Sequence, residues 1–287
     1  MSKPSWLRVR SSDTENRRAV EEILRGLNLN TVCAAANCPN YFECFSKKTA
    51  TFMILGTQCT RNCRFCNVTN GTPDHPNADE PANIANAIKE LGLAYAVVTS
   101  VTRDDLPDGG AAHFAETIRS INRISPETAV EVLIPDLRGD IDSLKVIASA
   151  DPTVISHNME TIRRLYAAVR PAADYHRSLK VLGQIRQLNP SIRAKSGFMV
   201  GLGETKEEVR ELLADLRSAG VEFVTIGQYL APTKEHIPVH EYITPEQFAE
   251  YGSMAKEMGF EFVASAPLVR SSYMAHEALE TLEGTEK

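Results

Sequence analysis

The six cysteines are the residues of this chain best suited to chemistry, and all of them fall within residues 33–66. They form two triplets with the spacings C-x4-C-x5-C and C-x3-C-x2-C: Cys33, Cys38 and Cys44, then Cys59, Cys63 and Cys66. Thiolates are soft ligands that suit iron–sulfur clusters and zinc, and thiols also form disulfides. An ordinary electron-transfer cluster takes four cysteines, so a cluster held by one triplet leaves one iron for another ligand.

Three interpretations of the triplets compete. Disulfides require an oxidising compartment, and the N-terminus directs the chain to none, because residues 1–10 are basic but no apolar stretch follows them. The same feature predicts a cytoplasmic location. Structural zinc takes four ligands, usually from paired C-x2-C knuckles, and neither triplet offers a fourth. Iron–sulfur clusters are therefore the interpretation that we favour.

The second triplet lies in the segment CTRNCRFC, residues 59–66, which resembles the signature of the radical S-adenosylmethionine (SAM) superfamily. Phe65 before the last cysteine, and an apolar run at 51–55 before the loop, strengthen the likeness. The resemblance implies a 4Fe-4S cluster on Cys59, Cys63 and Cys66 whose open iron binds SAM. It also implies that SAM is cleaved to a 5′-deoxyadenosyl radical. Such a radical can remove hydrogen from an unactivated C–H bond, which no side-chain base can do.

The first triplet narrows the resemblance to the lipoyl synthase family. Its segment CAAANCPNYFEC, residues 33–44, is similar to the auxiliary-cluster motif of that family, and the segments WLR (6–8), GQYLAP (227–232) and RSSY (270–273) agree with it. The resemblance implies a second 4Fe-4S cluster on Cys33, Cys38 and Cys44. It implies a serine oxygen as the fourth ligand, for which we expect Ser272, with Ser271 as the alternative. Taken without the resemblance, RSSY is typical of a polar loop that caps a helix.

The resemblance also implies a reaction and its partners. The auxiliary cluster would be the sulfur source, and sulfur would enter at C6 and C8 of an octanoyl chain amide-linked to a lysine of a lipoyl carrier domain, with two SAM molecules cleaved. The expected partners are octanoylated carriers, namely E2 subunits of 2-oxoacid dehydrogenases and the glycine cleavage H protein, and a reductant such as flavodoxin or ferredoxin. Two alternatives stay open: a radical SAM enzyme on another substrate with an auxiliary electron-transfer cluster, and a non-catalytic iron–sulfur or zinc module.

Apolar strands alternate with amphipathic helices beyond residue 49. We predict strands at 51–55, 94–101, 129–135, 153–157, 194–200, 223–229 and 262–266. Helical stripes lie at 20–27, 84–91 and 209–216, and Gly92 and Gly220 are expected to end the last two helices. Such units predict the α/β class with a parallel sheet covered by helices. Their number predicts a partial, open TIM-type (β/α)6 barrel, which the resemblance implies as well.

Three segments follow from this organisation: an N-terminal extension with the auxiliary motif at 1–48, the radical SAM barrel at 49–262, and a C-terminal segment with RSSY at 263–287. The two extensions are expected over the barrel mouth. Active sites of such barrels lie at the C-terminal ends of the strands. Ser100 lies near the end of one strand and Asp105 follows it, and Asn158 and Glu160 follow another strand, so we expect these residues, with Phe65, to contact SAM. A charged loop in water is the alternative.

Other polar residues have simpler explanations. We expect His157 to be a core histidine, and the segment HIPVH at 236–240 to be a loop rather than a zinc site, because Pro238 forbids a regular helix. The segment GLGET at 201–205 fits a SAM contact or a capping box of Thr205 and Glu208 equally well. Arg170 could pair with a SAM carboxylate, but most such charges are solvated.

Composition excludes several classes of protein. The net charge is −6, which disfavours a non-specific nucleic-acid binder, because such proteins rely on a basic surface. The 43% apolar content over 287 residues supplies a sizeable core and argues against a disordered chain. An apolar run long enough to cross a bilayer is missing from the sequence, so no membrane partner is expected.

Overall fold

The computed structural model describes residues 3–8, 14–47, 50–273, 275 and 277–278. Parts of the two predicted extensions, namely residues 1–2, 9–13, 48, 274, 276 and 279–287, lie outside the described residues. The chain divides into two compact units. We call residues 14–61 and 67–155 the N-terminal unit, and residues 3–8, 62–66 and those from 156 onward the C-terminal unit. Among the described residues, no helix is both long enough and apolar enough to span a membrane.

The N-terminal unit carries a mostly parallel sheet with helices between its strands. Strand β1 is antiparallel to β2, whereas β2, β5 and β6 run parallel, with Met53 opposite Thr99 and Val97 opposite Glu131. The short strands β3 and β4 form a separate parallel pair. The strands are β1 (Asn30–Thr31), β2 (Thr51–Ile54), β3 (Gln58–Cys59), β4 (Thr69–Asn70), β5 (Tyr95–Ser100), β6 (Ala129–Leu133) and β7 (Val154–Ser156). The helices are α1 (Glu15–Gly26), α2 (Val32–Ala35), α3 (Tyr41–Ser46), α4 (Glu80–Leu91), α5 (Ala111–Ile124) and α6 (Ile141–Ala148).

The C-terminal unit repeats this pattern. Its strands β8 (Arg193–Val200), β9 (Phe223–Gln228) and β10 (Phe262–Ser265) pair in parallel in that order. Its α-helices are α7 (Tyr166–Val169), α8 (Tyr175–Leu188), α9 (Lys206–Ser218) and α10 (Pro245–Glu257). Three-residue 3-10 helices cover Ser5–Leu7 and Arg163–Leu165 here, and Leu137–Gly139 in the N-terminal unit.

The buried strands explain why the sequence folds into this class. All residues of β2 and of β9 are buried, so both faces of these strands are covered, as in α/β proteins whose sheets lie under helices. Each of the seven predicted strands is present, and six of them are shorter at one or both ends than predicted. Helix α4 ends at the left-handed Gly92 as predicted, and Gly220, with φ +80°, follows the C-cap Ala219 of α9. The predicted α/β class is confirmed.

Candidate functional site

Cys59 ends strand β3, and its sulfur is held by the backbone. Its Sγ accepts hydrogen bonds from the N–H of Arg61 at 3.4 Å and of Thr102 at 3.3 Å. Backbone N–H groups directed at a sulfur tune the reduction potential of an iron–sulfur cluster bound to it. The environment of Cys59 therefore fits a thiolate ligand.

Arg61 anchors this part of the loop. Its guanidinium donates to Asp104 at 2.6 and 2.8 Å and to the fully buried Asp136 at 2.7 Å. Burial alone would lower the pKa of Arg61, but the hydrogen bonds and charges of the two carboxylates outweigh it and raise the pKa above its usual range. Thr60 adds a backbone hydrogen bond to Thr102 at 3.0 Å. The chain after Cys59 is thus fixed by ionic and backbone contacts together.

Residues 62–66 are held within the C-terminal unit by their backbone. The N–H of Arg64 donates to the carbonyl of Val169 at 2.9 Å, and the N–H of Ile237 donates to the carbonyl of Arg64 at 3.4 Å. His236 donates from Nε2 to the carbonyl of Cys66 at 3.1 Å. The segment 236–240 is a loop, as predicted, and one of its histidines supports a cysteine carbonyl.

Phe65 packs against an apolar cluster rather than standing in solvent. Its neighbours are the buried residues Val169, Leu202 and Tyr229. The Tyr229 hydroxyl donates to the carbonyl of Ile237 at 2.7 Å. The aromatic residue of the motif therefore fixes the second half of the loop to the C-terminal unit.

The first triplet comes together within the N-terminal unit. Cys33 lies in α2, Cys44 lies in α3, and the N–H of Cys38 donates to the carbonyl of Cys33 at 3.1 Å. Burial raises the pKa of Cys33 to about 11, and the charge of Cys38 adds to that shift. Burial raises the pKa of Cys44 to about 12, with the charges of Cys33 and Cys38 adding to it. The charge effects of Cys38 on Cys33, and of both on Cys44, show that the three thiols lie close together.

Helix α1 holds the helix that carries Cys44. The Tyr41 hydroxyl donates to Glu21 at 2.8 Å, and the side-chain amide of Asn16 donates to the carbonyl of Ser46 at 2.9 Å. The amide of Asn67, the residue after Cys66, donates to the carbonyl of Ala35 in α2 at 2.9 Å. A direct hydrogen bond therefore joins α2 to the residue that follows the second triplet in the sequence.

All six cysteines, each within the described part of the chain, are thiols rather than disulfides. Among the described residues, no group of three or more His, Cys, Asp or Glu side chains is placed to hold a single metal ion. A 4Fe-4S cube takes each thiolate on a different iron, so its ligands stand further apart than those of one ion. The three closely placed thiols of the first triplet fit such a cube.

The polar residues expected at SAM differ in how far they are already engaged. Ser100 is the last residue of β5, and its buried hydroxyl has no hydrogen-bond partner among the described residues. The carboxylate of Asp105 instead pairs with Arg103 at 2.8 Å, which lowers the pKa of Asp105. Ser100 remains available to a ligand, whereas Asp105 is already neutralised by a neighbour.

Asn158 and Glu160 form a pair in the C-terminal unit. The Asn158 amide donates to Glu160 at 3.0 Å, and its Oδ1 is buried without a hydrogen-bond partner among the described residues. Burial of the carboxyl group raises the pKa of Glu160, and the charges of Arg170 and Arg270 act against that shift. Arg170 is buried rather than solvated, because it donates to the carbonyl of Asn158 at 2.8 Å. This pair is the best-formed polar site among the residues predicted to contact SAM.

The remaining predictions concern loops. His157 is a buried core histidine whose Nε2 lies 2.9 Å from Ser178 Oγ, as predicted. Thr205 and Glu208 form the predicted capping box of α9, and Glu204 accepts from the N–H of Leu202 at 2.9 Å. The segment 270–273 is a turn closed by the N–H of Tyr273 donating to the carbonyl of Arg270 at 2.9 Å. Ser271 and Ser272 are both partly exposed in it.

Sequence reasoning missed the residues that hold the cysteine segments in place. Arg61 stood inside the motif, but its partners Asp104 and Asp136 are 43 and 75 residues away. Asn67 and His236 likewise act through one hydrogen bond each to a carbonyl. A contact to a backbone carbonyl leaves no pattern in the sequence, so only the fold shows it.

Comparison with known proteins places these features in a family. The profile of the Radical SAM superfamily matches residues 53–216. The chain is 55% identical to "Lipoyl synthase" of Caldicellulosiruptor bescii, over 100% of this chain and 99% of that protein. It is 53% identical to "Lipoyl synthase" of Alkaliphilus metalliredigens, over 98% of this chain and 97% of that protein.

Solved structures show the same fold at low sequence identity. A maturase of the FeFe-hydrogenase superposes with a TM-score of 0.58 at 13% identity, covering 88% of this chain and 62% of that one. Methylornithine synthase superposes with a TM-score of 0.51 at 13% identity, covering 88% and 83% of the two chains. The predicted TIM-type fold of radical SAM enzymes is thereby confirmed.

Proposed function

The chain belongs to the lipoyl synthase family of the radical SAM superfamily, and from that membership we propose that it inserts two sulfur atoms, at C6 and C8, into a protein-bound octanoyl chain. The observation that carries the proposal is the pair of cysteine triplets in a chain that matches its relatives over its full length. Two separate sets of three thiols suit an enzyme that needs one cluster for a radical and another for sulfur.

We propose that Cys59, Cys63 and Cys66 hold a 4Fe-4S cluster with one open iron. When bound there together with SAM, the cluster supplies the 5′-deoxyadenosyl radical that removes hydrogen from the substrate. The backbone N–H groups at Cys59 and the apolar seat of Phe65 support this role, because they keep the loop in one conformation. Ser100, Asp105, Asn158 and Glu160 are our candidates for SAM contacts, and Asn158 with Glu160 is the strongest pair.

We propose that Cys33, Cys38 and Cys44 hold a second 4Fe-4S cluster, with Ser272 as fourth ligand and Ser271 as the alternative. The charge effects of Cys38 on the pKa of Cys33, and of Cys33 and Cys38 on the pKa of Cys44, support a shared site. Iron binds thiolates, so the three thiols must lose their protons although the pKa values of Cys33 and Cys44 are raised. The bound cluster is therefore the state that keeps them as thiolates. Segments 1–48 and 263–287 would then supply the ligands of the second cluster to the barrel at 49–262.

The partners follow from the proposed reaction. The substrate would be an octanoylated carrier domain, such as that of a 2-oxoacid dehydrogenase E2 subunit or the glycine cleavage H protein. An electron donor such as flavodoxin or ferredoxin would reduce the cluster on Cys59, Cys63 and Cys66. We propose a cytoplasmic location, because six reduced thiols and iron–sulfur chemistry require a reducing compartment.

Anaerobic reconstitution tests the proposal. We expect about eight iron per chain if both triplets hold a 4Fe-4S cluster. The variant Cys38→Ala should cleave SAM but transfer no sulfur to an octanoylated peptide, whereas Cys63→Ala should lose both activities. Sulfide label in the cluster should appear in the product. Label that stays in the protein would favour a radical SAM enzyme with an electron-transfer cluster, and bound zinc without a brown chromophore would favour a non-catalytic module.

A further inference from the structure

Leu55 is a buried leucine in an unusual backbone conformation just before the loop that carries the second triplet. It follows the last residue of β2, has φ +68°, and precedes Cys59 by four residues. Residues other than glycine, asparagine and aspartate rarely adopt this left-handed region, because their Cβ crowds the backbone. Gly56, with φ +97°, continues the turn. The chain therefore leaves the sheet through a conformation that its own sequence does not favour.

Glu80 holds the amide of this residue. Its Oε2 accepts the Leu55 N–H at 2.9 Å, and Nε2 of His113 lies 2.7 Å from the same oxygen. Glu80 is 6% exposed although it is the first residue of α4. Burying a carboxylate costs free energy because the group loses its contacts with water. The contacts that Glu80 makes within the protein must offset this cost. The carboxylate contributes a charge-assisted hydrogen bond to one particular peptide group.

The other side of Leu55 is held as well. Arg103, which is 2% exposed, donates from Nη1 to the Leu55 carbonyl at 3.1 Å, while its Nε and Nη2 bind Asp105. The leucine side chain fills space over Gly110, where a Cβ would come within 2.3 Å of Leu55 Cδ1. The N–H, the carbonyl and the side chain of Leu55 are thus each fixed by a different segment.

We propose that Glu80 is a positioning residue for the radical-generating loop: by holding the Leu55 amide in the left-handed conformation, it sets the direction in which the chain reaches Cys59. The inference rests on the proposed function in that it assigns the cluster and SAM to this loop. Glu80 itself touches neither. Without its acceptor, the Leu55 peptide relaxes toward a conformation that leucine favours, and the loop presents its thiolates in a changed geometry.

The experiment uses the full chain with Cys33, Cys38 and Cys44 replaced by Ala, so that only the second triplet carries a cluster. In this background we compare Glu80→Ala with Glu80→Gln, whose amide oxygen can still accept from Leu55. Glu90→Gln is the matched control, because Glu90 is an exposed glutamate of the same helix. Two quantities are measured after reconstitution: iron per chain, and the change in the electron paramagnetic resonance (EPR) spectrum of the reduced cluster as SAM is titrated.

We expect Glu80→Ala to retain about four iron per chain but to weaken SAM binding by about tenfold, the effect of losing one buried hydrogen bond to a charged group. Glu80→Gln should recover most of that loss, and Glu90→Gln should match the parent. Two results overturn the inference. One is that Glu80→Ala binds SAM like the parent. The other is that Glu80→Ala holds less iron per chain while the cluster that remains responds to SAM normally, because that is a purely structural effect. If Glu80→Ala does not fold, Glu80→Asp, too short to reach the amide, gives the same decision.

The proposed function fails by a different result. If the chain with all six cysteines forms no lipoyl product from an octanoylated peptide while the EPR spectrum of its reduced cluster still responds to SAM, the reaction assignment is wrong and the role of Glu80 is unaffected. If SAM affinity is independent of Glu80 in a chain that does form the product, the role of Glu80 is wrong and the reaction assignment is unaffected.

Discussion

Replacing Arg61 by Ala tests whether the cysteine loop depends on a buried charge network. The Arg61 side chain is 5% exposed, Asp136 is fully buried, and Asp104 is 31% exposed. Water can replace the guanidinium at Asp104, so that pair contributes about 0–1 kcal/mol. Water cannot reach Asp136, so the loss of the guanidinium beside this buried carboxylate costs about 3–5 kcal/mol, even though the N–H of Arg138 still donates to it at 3.1 Å. Nearly all of the loss in the free energy of unfolding should therefore come from Asp136.

Urea unfolding of the metal-free protein, followed by circular dichroism, measures these differences. Arg61→Ala should lower the free energy of unfolding by about 3–5 kcal/mol, and Asp104→Asn by about 1 kcal/mol or less. The double variant Arg61→Ala with Asp136→Asn should be more stable than Arg61→Ala alone, because it removes the buried negative charge that has lost the guanidinium. A double variant less stable than the single one, or an equal effect of Asp104→Asn, would refute the reasoning.

Three further predictions follow from individual contacts. Burial and the neighbouring thiols raise the pKa of Cys44 to about 12. Alkylation of Cys44 in the metal-free protein should therefore be about a thousandfold slower at pH 8 than that of an ordinary thiol, and its rate should rise about tenfold per pH unit up to pH 11. Mass spectrometry of samples alkylated over a series of pH values measures this rate. Asn67→Ala, which breaks the bond to α2, should leave SAM cleavage intact and lower the ratio of lipoyl product to 5′-deoxyadenosine several-fold; an unchanged ratio contradicts this role. Gly110→Ala should destabilise the protein by more than about 1 kcal/mol in thermal unfolding, because φ is +91° and the new Cβ meets Leu55, whereas Gly26→Ala, which meets nothing within 4 Å, should not.

The strands and helices were predictable because their signal is local. Buried strands such as β5 and β9 are uninterrupted apolar runs, and α4 combines a period-3.6 stripe with a glycine at its end. The end of β2 was predicted one residue too late. Leu55 is apolar and buried like the strand before it, but its positive φ results from Glu80 and Arg103, which lie far along the chain.

The site was predictable to the extent that chemistry is written in residue type and spacing. The cysteines could be singled out because two triplets of thiols without a fourth cysteine favour iron–sulfur clusters over disulfides or zinc. The segment 270–273 was singled out only through the resemblance, and the role of its serines stays a prediction. The sequence could not show the roles of Asp105 and Arg170, because the presence of a charged side chain does not reveal which partner it contacts. Asp105 pairs with Arg103, two residues earlier, and Arg170 is buried against the carbonyl of Asn158.

The turn at Leu55 bears on any attempt to transplant this chemistry. A designer who grafts residues 59–66 onto another barrel would transfer the iron ligands but not the carboxylate, guanidinium and glycine that shape the approach to them, which come from positions 80, 103 and 110. Substituting Val or Ile at position 55 would look harmless in an apolar interior, yet branched side chains tolerate a left-handed backbone worst of all. The eight-residue motif therefore cannot be transferred alone, because its geometry depends on residues elsewhere in the fold.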